Sequence, residues 1–182
     1  MKTLAYHEAT PGHHHQIAHS LENEELTLYR RFGYGTSAFS EGWALYSEQL
    51  ALEAGLAPDP YDELGILQSE IFRAVRLVVD TGIHYKKWTR EEAIAYMKAK
   101  TGMSDTECRV EIERYIVWPG QALSYKVGMI KMLELREKAM NALGDKFNIK
   151  DFHSAVLDNG NPPLFIVEQM VDEMIAEALG TN

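Results

Sequence analysis

The stretch YHEATPGHHHQ, Tyr6 to Gln16, holds five side chains able to bind a metal ion or move a proton: His7, Glu8, His13, His14 and His15. Zinc takes deprotonated N, O or S donors in a roughly tetrahedral set, and catalytic sites use three protein ligands and a water. In the familiar H-E-x-x-H pattern two histidines sit four apart, about 40° around a helix and roughly 6 Å along it, with the glutamate facing the water. Here His7 and His13 are six residues apart, which on a straight helix is about 240° around and about 9 Å along. His7 and His14 share a face but lie about 10.5 Å apart on it. Neither pair suits one ion on an unbroken helix.

Pro11 and Gly12 offer a way out. A proline at 11 cannot donate to the carbonyl of residue 7, so a helix must bulge or restart there. If the bulge absorbs two residues, His7 and His13 regain something close to four-residue geometry, and Glu8 holds the general-base position. A larger break would bring in His14 instead; His15 and His19 read as ordinary polar positions. A third ligand has to come from another helix, and SEGWALYSE, Ser40 to Glu48, offers Glu41. Glu48, one heptad on, shares that face and is placed to orient a ligand from behind. Two histidines and a later glutamate make the His₂Glu set of thermolysin-like enzymes. Histidine clusters are also surface accidents and helical glutamates are usually solvated, so spacing alone leaves the metal reading and the bland one side by side.

The elements that must position these residues are helical. Thr10 and Pro11 read as N-cap and first position of a helix through His13 to about Arg31, followed by the glycine-rich loop FGYGTSAF. Ser40 reads as the cap of a helix from Glu41 to about Ala54, stopped by Gly55. Leu64, Leu67, Ile71, Val75 and Val78 recur at helical spacing between Glu63 and Val79, with Glu70, Arg73 and Arg76 among them. Thr89 with Glu92, and Ser104 with Glu107, form capping boxes heading two further helices. WPGQ breaks the chain before a long helix ending near Gly144. A short helix spans Asp151 to Leu157, and Pro162 and Pro163 open a last one running down to Gly180. No segment alternates with period two, so the expected fold is all-α or nearly so, one helical domain over 1–182.

Bulk properties exclude several function classes. The 182 residues are 46% hydrophobic and 25% charged, enough for a core in one domain. The net charge of -9 and scattered basic residues argue against a nucleic-acid partner, which draws on a basic surface. No apolar stretch approaches the roughly 20 residues that span a bilayer. The one cysteine, Cys108, rules out an internal disulfide or a cysteine-based zinc site.

Six ordered blocks carry a family resemblance: HEATPGHHHQ, SEGWALYSEQLALEAG, DTGIH, WTREEAIAYM, ERYIVWPGQALSYKVG and FHSAVLDNGNPPL. Over nearly the whole chain the sequence resembles the C-terminal half of the bacterial proteins grouped as domain of unknown function 885. That resemblance implies a zincin-like, largely helical fold, zinc-dependent peptidase activity, and members that are longer than this chain and often exported or lipid-anchored. It places His7, Glu8 and His13 on the modified His-Glu motif and Glu41 on the downstream glutamate, and it implies an upstream region of the same protein that this chain lacks.

The expected activity is hydrolysis of a peptide or small amide, with Zn2+ as cofactor and Glu8 taking and returning the proton. A donor for the developing oxyanion is sought in Tyr125 and His153; packing and helix buttressing are their plain alternatives. Asp80 and His84 read as a supporting pair or as flanks of a structural turn at Gly82, and Arg114 as a carboxylate binder or a salt-bridge partner. Two other readings stay open: a non-catalytic helical interaction module, and a metallohydrolase of non-peptide bonds.

Overall fold

In the computed structural model the chain is described over residues 2–33 and 35–181. Among the described residues ten α-helices follow in order: α1 Lys2–Glu8, α2 His13–Glu22, α3 Leu28–Phe32, α4 Ser37–Glu53, α5 Pro60–His84, α6 Arg90–Thr101, α7 Asp105–Val117, α8 Ser124–Leu143, α9 Ile149–Leu157 and α10 Leu164–Leu179. There is no strand among the described residues, so the fold is all-α. None of these helices is long and apolar enough to cross a membrane.

Two apolar clusters organise the molecule. In the first, Phe39, Trp43 and Tyr46 of α4 pack on Met129, Met132 and Leu135 of α8, with α9 and α10 closing the far side through Phe152, Val156, Val167 and Val171. The 39-43-46 and 129-132-135 steps are those of a helix stripe facing a core. The backbones of α4 and α8 touch where Gly42 meets Gly128: a Cβ on Gly42 would stand 2.5 Å from the Gly128 Cα, and one on Gly128 would stand 1.9 Å from the Ala38 carbonyl oxygen. Side chains other than hydrogen would force the helices apart, and Glu41 sits beside this crossing.

The second cluster joins Val75 and Val79 of α5 to Ala93 and Met97 of α6 and to Cys108, Ile112 and Tyr115 of α7. Both capping boxes form, Thr89 with Glu92 and Ser104 with Glu107, and α6 ends at Gly102 in the left-handed region at φ 69, where glycine carries no Cβ penalty.

Three boundaries differ from expectation. The helix expected from Pro11 to Arg31 is two helices, α2 and α3, and α2 starts at His13 behind Gly12 with no side-chain cap. Thr10 and Pro11 belong to a break between α1 and α2. Ser40 does not cap α4; the helix begins a turn earlier, behind Thr36, because fully buried Phe39 extends the core stripe upstream. Gly82 makes no turn: it lies inside α5, where Trp88 packs within 2.5 Å of the position a Cβ would take. Of the FGYGTSAF loop, Tyr34 lies outside the described residues.

Candidate metal centre

The break between α1 and α2 is a two-residue bulge. The His15 N–H donates to the Ala9 carbonyl at 3.2 Å, a step of six residues, and four-residue bonding resumes with Gln16 to Gly12 at 3.0 Å. A regular helix would make the first of these bonds from His13. Two residues are therefore looped out. Gly12 permits this because its backbone lies on the end of α1: a Cβ there would fall 1.8 Å from the His7 carbonyl oxygen.

The bulge brings His7 and His13 together, with ring centroids 4.9 Å apart and planes at 87°. Glu41 reaches in from α4. One ligand atom from each of His7, His13 and Glu41 lies within 4.8 Å of the others. The Glu41 Oε2 is 3.2 Å from His13 Nε2 and 3.8 Å from His7 Nε2. Around a tetrahedral zinc with bonds of about 2.0–2.2 Å, neighbouring donors stand roughly 3.3–3.6 Å apart. The two separations to Glu41 bracket that edge, the two histidines stand within 4.8 Å of each other, and the donor set is the nitrogen-nitrogen-carboxylate kind that zinc accepts, so these residues fit the ion after a small closure of the histidine pair.

What stands behind His7 fixes its orientation. Its Nδ1–H donates to Glu48 Oε1 at 2.7 Å, which leaves Nε2 as the free lone pair aimed at the cluster. Both side chains are buried, His7 at 4% and Glu48 at 2% exposure. Burial opposes charge on His7, but the neighbouring carboxylates of Glu41 and Glu48 outweigh it and raise the imidazole above its usual range. Burial likewise opposes the Glu41 carboxylate, yet the hydrogen bond with His13 and the nearness of His7 bring it down to about 2. Glu41 is thus a carboxylate across the working pH range, as a metal ligand must be.

Arg73 and Arg76, which spacing placed on α5 without a role, form the floor of the site. Arg73 Nη2 lies 3.9 Å from the same Glu48 oxygen, and its guanidinium covers the Tyr125 ring at 5.8 Å. Arg76 covers the Tyr125 ring at 4.5 Å and the Phe72 ring at 4.4 Å, and donates to the Tyr115 hydroxyl and to Glu111 at 2.7 and 2.9 Å. The available signal was Arg76 itself: it falls in the 72-75-76-79 stripe, where an arginine is buried with its partners or not at all. Glu48 and Arg73 also border a cavity of about 350 Å³ with Thr3, Gln68, Ser69 and Phe72.

The remaining candidates fall as follows. Glu8 ends α1 next to His7 and is exposed. His14 and His15 are exposed on α2, and His13 is the histidine that meets His7. Tyr125 is buried, its ring stacked near the His7 ring at 6.3 Å and 18°. His153 is placed elsewhere: its contacts are Trp43, Tyr46 and Phe152, and its Nε2 pairs with the Tyr46 hydroxyl at 3.0 Å. Burial and then the nearby Arg136 push His153 down to about 4, so it is neutral. Asp80 accepts from the Gly120 N–H at 3.0 Å and His84 Nε2 donates to the Tyr115 carbonyl at 2.9 Å, so each ties α5 to a neighbouring segment rather than to the other. Arg114 donates to Gln121 at 3.4 Å and lies 3.9 Å from Glu111.

Fold and site together describe an all-α protein with a partly buried cluster of two histidines and a carboxylate. The chain belongs to the family described as bacterial protein of unknown function (DUF885), which matches residues 1–171. Solved structures similar to this chain include the following two. One is described as "the putative lipoprotein from Colwellia psychrerythraea", 54% identical over 97% of this chain with a TM-score of 0.93. The other is "a putative lipoprotein of unknown function from Shewanella oneidensis", 31% identical over 92% of this chain with a TM-score of 0.85. In each case this chain spans 30% of the relative's length. No curated protein matches.

Proposed function

We propose that this chain carries the metal centre of a zinc-dependent hydrolase of peptide or amide bonds, with His7, His13 and Glu41 as ligands. The observation that carries the reading is the convergence of three donors from α1, α2 and α4 at near-tetrahedral spacing, backed by a carboxylate on the far nitrogen of His7. Zinc, when bound, would supply a Lewis acid for the scissile carbonyl and acidify a water. Glu8, next to His7 at the exposed end of α1, would act as base toward a water in the site and as acid toward the leaving amine. Glu48 holds the His7 tautomer. Tyr125, stacked beside the His7 ring, is proposed as a donor to the developing oxyanion, whereas His153, engaged by Tyr46 away from the cluster, is not.

The chain spans 30% of the length of each of these two solved relatives; the family resemblance is what suggests a zincin-like fold and a C-terminal position in a longer protein. Their descriptions as lipoproteins support an exported, lipid-anchored setting.

The test is metal content by mass spectrometry, on protein purified without a metal-affinity column. About one zinc per chain, lost in His7→Ala and in Glu41→Ala, is the expected result. Glu8→Gln should keep the metal and lose turnover of a peptide library. A wild-type chain that takes up no zinc after addition and dialysis would sink the metal reading. It would favour a helical interaction module instead. Zinc with turnover of esters or other non-peptide substrates alone would redirect the substrate class and leave the centre standing.

A further inference from the structure

Resting on the metal reading, we infer that Trp43 is a positioning residue for the centre, because its indole N–H locks the bulge that makes His13 a partner of His7. The bulge is the weak point of the site. A helix of unbroken register keeps its two histidines aligned through backbone hydrogen bonds alone. Here four residues, Ala9 to Gly12, stand between α1 and α2, and α2 starts without a side-chain cap. Backbone bonding across the gap consists of Ala9 to Ala5 at its start and the six-residue bond from His15 to Ala9. Something outside the segment must hold it.

Trp43 meets that need. It is 2% exposed in the α4–α8 core, and its Nε1–H donates to the Pro11 carbonyl at the crown of the bulge at 2.8 Å. A buried indole N–H without a partner would cost stability, so bulge and core fix each other. Its place on α4 is equally telling. Glu41 sits two residues before it and Glu48 five after, so one helix supplies the metal carboxylate, the clamp on the bulge and the carboxylate behind His7. Any slide of α4 would move all three together. With α4 pinned on α8 at Gly42 and Gly128, the clamp sets where His13 stands relative to Glu41.

The experiment uses the full chain, stripped of metal and titrated with zinc against a chelating dye. Trp43→Phe keeps an aromatic ring in the core and removes only the donor and one ring. Zinc affinity should fall by about 10- to 100-fold, the range seen when the partner behind a ligand is removed, and the cobalt-substituted spectrum should change shape. Leu135→Ala, in the same core on α8, should lower the melting temperature at least as much while zinc affinity stays within about twofold. Coupling between two sites is reciprocal, which gives a readout without any variant. Indole N–H hydrogen exchange at Trp43 should slow on zinc loading, while Trp88 and Trp118 stay unchanged. Trp43→Phe binding zinc as the wild type does, Leu135→Ala weakening zinc equally, or Trp43 exchange indifferent to zinc would each overturn the inference, even if the wild type holds zinc tightly. A wild type that binds no zinc would instead remove the metal reading, and this inference with it.

Discussion

The two halves of this molecule are built in different ways. The α5–α7 region is assembled from neighbours in sequence: α6 and α7 follow each other through a left-handed glycine, and each opens with a capping box. Apart from the partly buried pair of Arg76 with Glu111, ion pairs of this region such as Lys98 with Asp105 and Arg90 with Glu113 lie at the surface, where they add little. The α1–α2–α4–α8 region is assembled from distant parts. His7 bonds Glu48 across 41 residues, His13 bonds Glu41 across 28, and Trp43 reaches back to Pro11 across 32. Several of its polar groups are buried, and three of them, Gln16 Oε1, Ser47 Oγ and Glu48 Oε2, have no partner among the described residues. One region spends its sequence on stability and the other on holding charged groups out of water, which is where function is to be sought.

That contrast can be broken in several places. The largest effect is expected at the helix crossing: Gly128→Val drives a branched side chain into the Ala38 carbonyl and should cost about 3 kcal/mol or more in denaturant unfolding. If this variant is as stable as the wild type, the close crossing does not organise the site. Next, Glu48→Gln should weaken zinc binding by about 10- to 100-fold in the same dye competition, with the fold retained by circular dichroism. An unchanged affinity would show that His7 needs no carboxylate behind it.

A third effect is graded by pH. His153 is held down to about 4 by burial and Arg136, whereas in the unfolded chain it titrates at its ordinary value near 6.5. Between those values the unfolded state binds more protons, so stability falls as the pH is lowered through that window and is fully present above it. Melting temperatures measured from pH 7 to pH 4 should decline, and His153→Gln should flatten the curve. An equal decline in both proteins would move the cause elsewhere. The smallest change is expected in the other half. Thr89→Ala removes one capping box and should cost about 1 kcal/mol while leaving zinc affinity untouched. Loss of zinc binding on uncapping α6 would mean that the two regions are coupled.

Much of this was readable from residue types. Both capping boxes form at the residues expected, and WPGQ does separate α7 from α8. These are local signals, made by side chains three residues from the groups they satisfy. The bulge was readable in kind, since proline at 11 forbids a continuous helix, but where α2 begins was not. Pro11 in first helical position and Pro11 in a loop behind Gly12 obey the same steric rule, and contact with α4 selects between them. The start of α4 was missed for a similar reason. Ser40 is as good a cap as Thr36 in isolation, and burial of Phe39 decides for the earlier one.

By itself, then, the sequence determined that the chain is helical, where α6 and α7 begin, and which side chains are fit to hold a metal. Propensity, capping and donor chemistry act within a few residues and need no fold. Only the tertiary structure decided that His13 rather than His14 faces His7, that Arg73 and Arg76 lie under Tyr125, and that His153 turns to Tyr46. Those choices rest on contacts between residues far apart in the chain, whose geometry is set by how closely α4 and α8 pack.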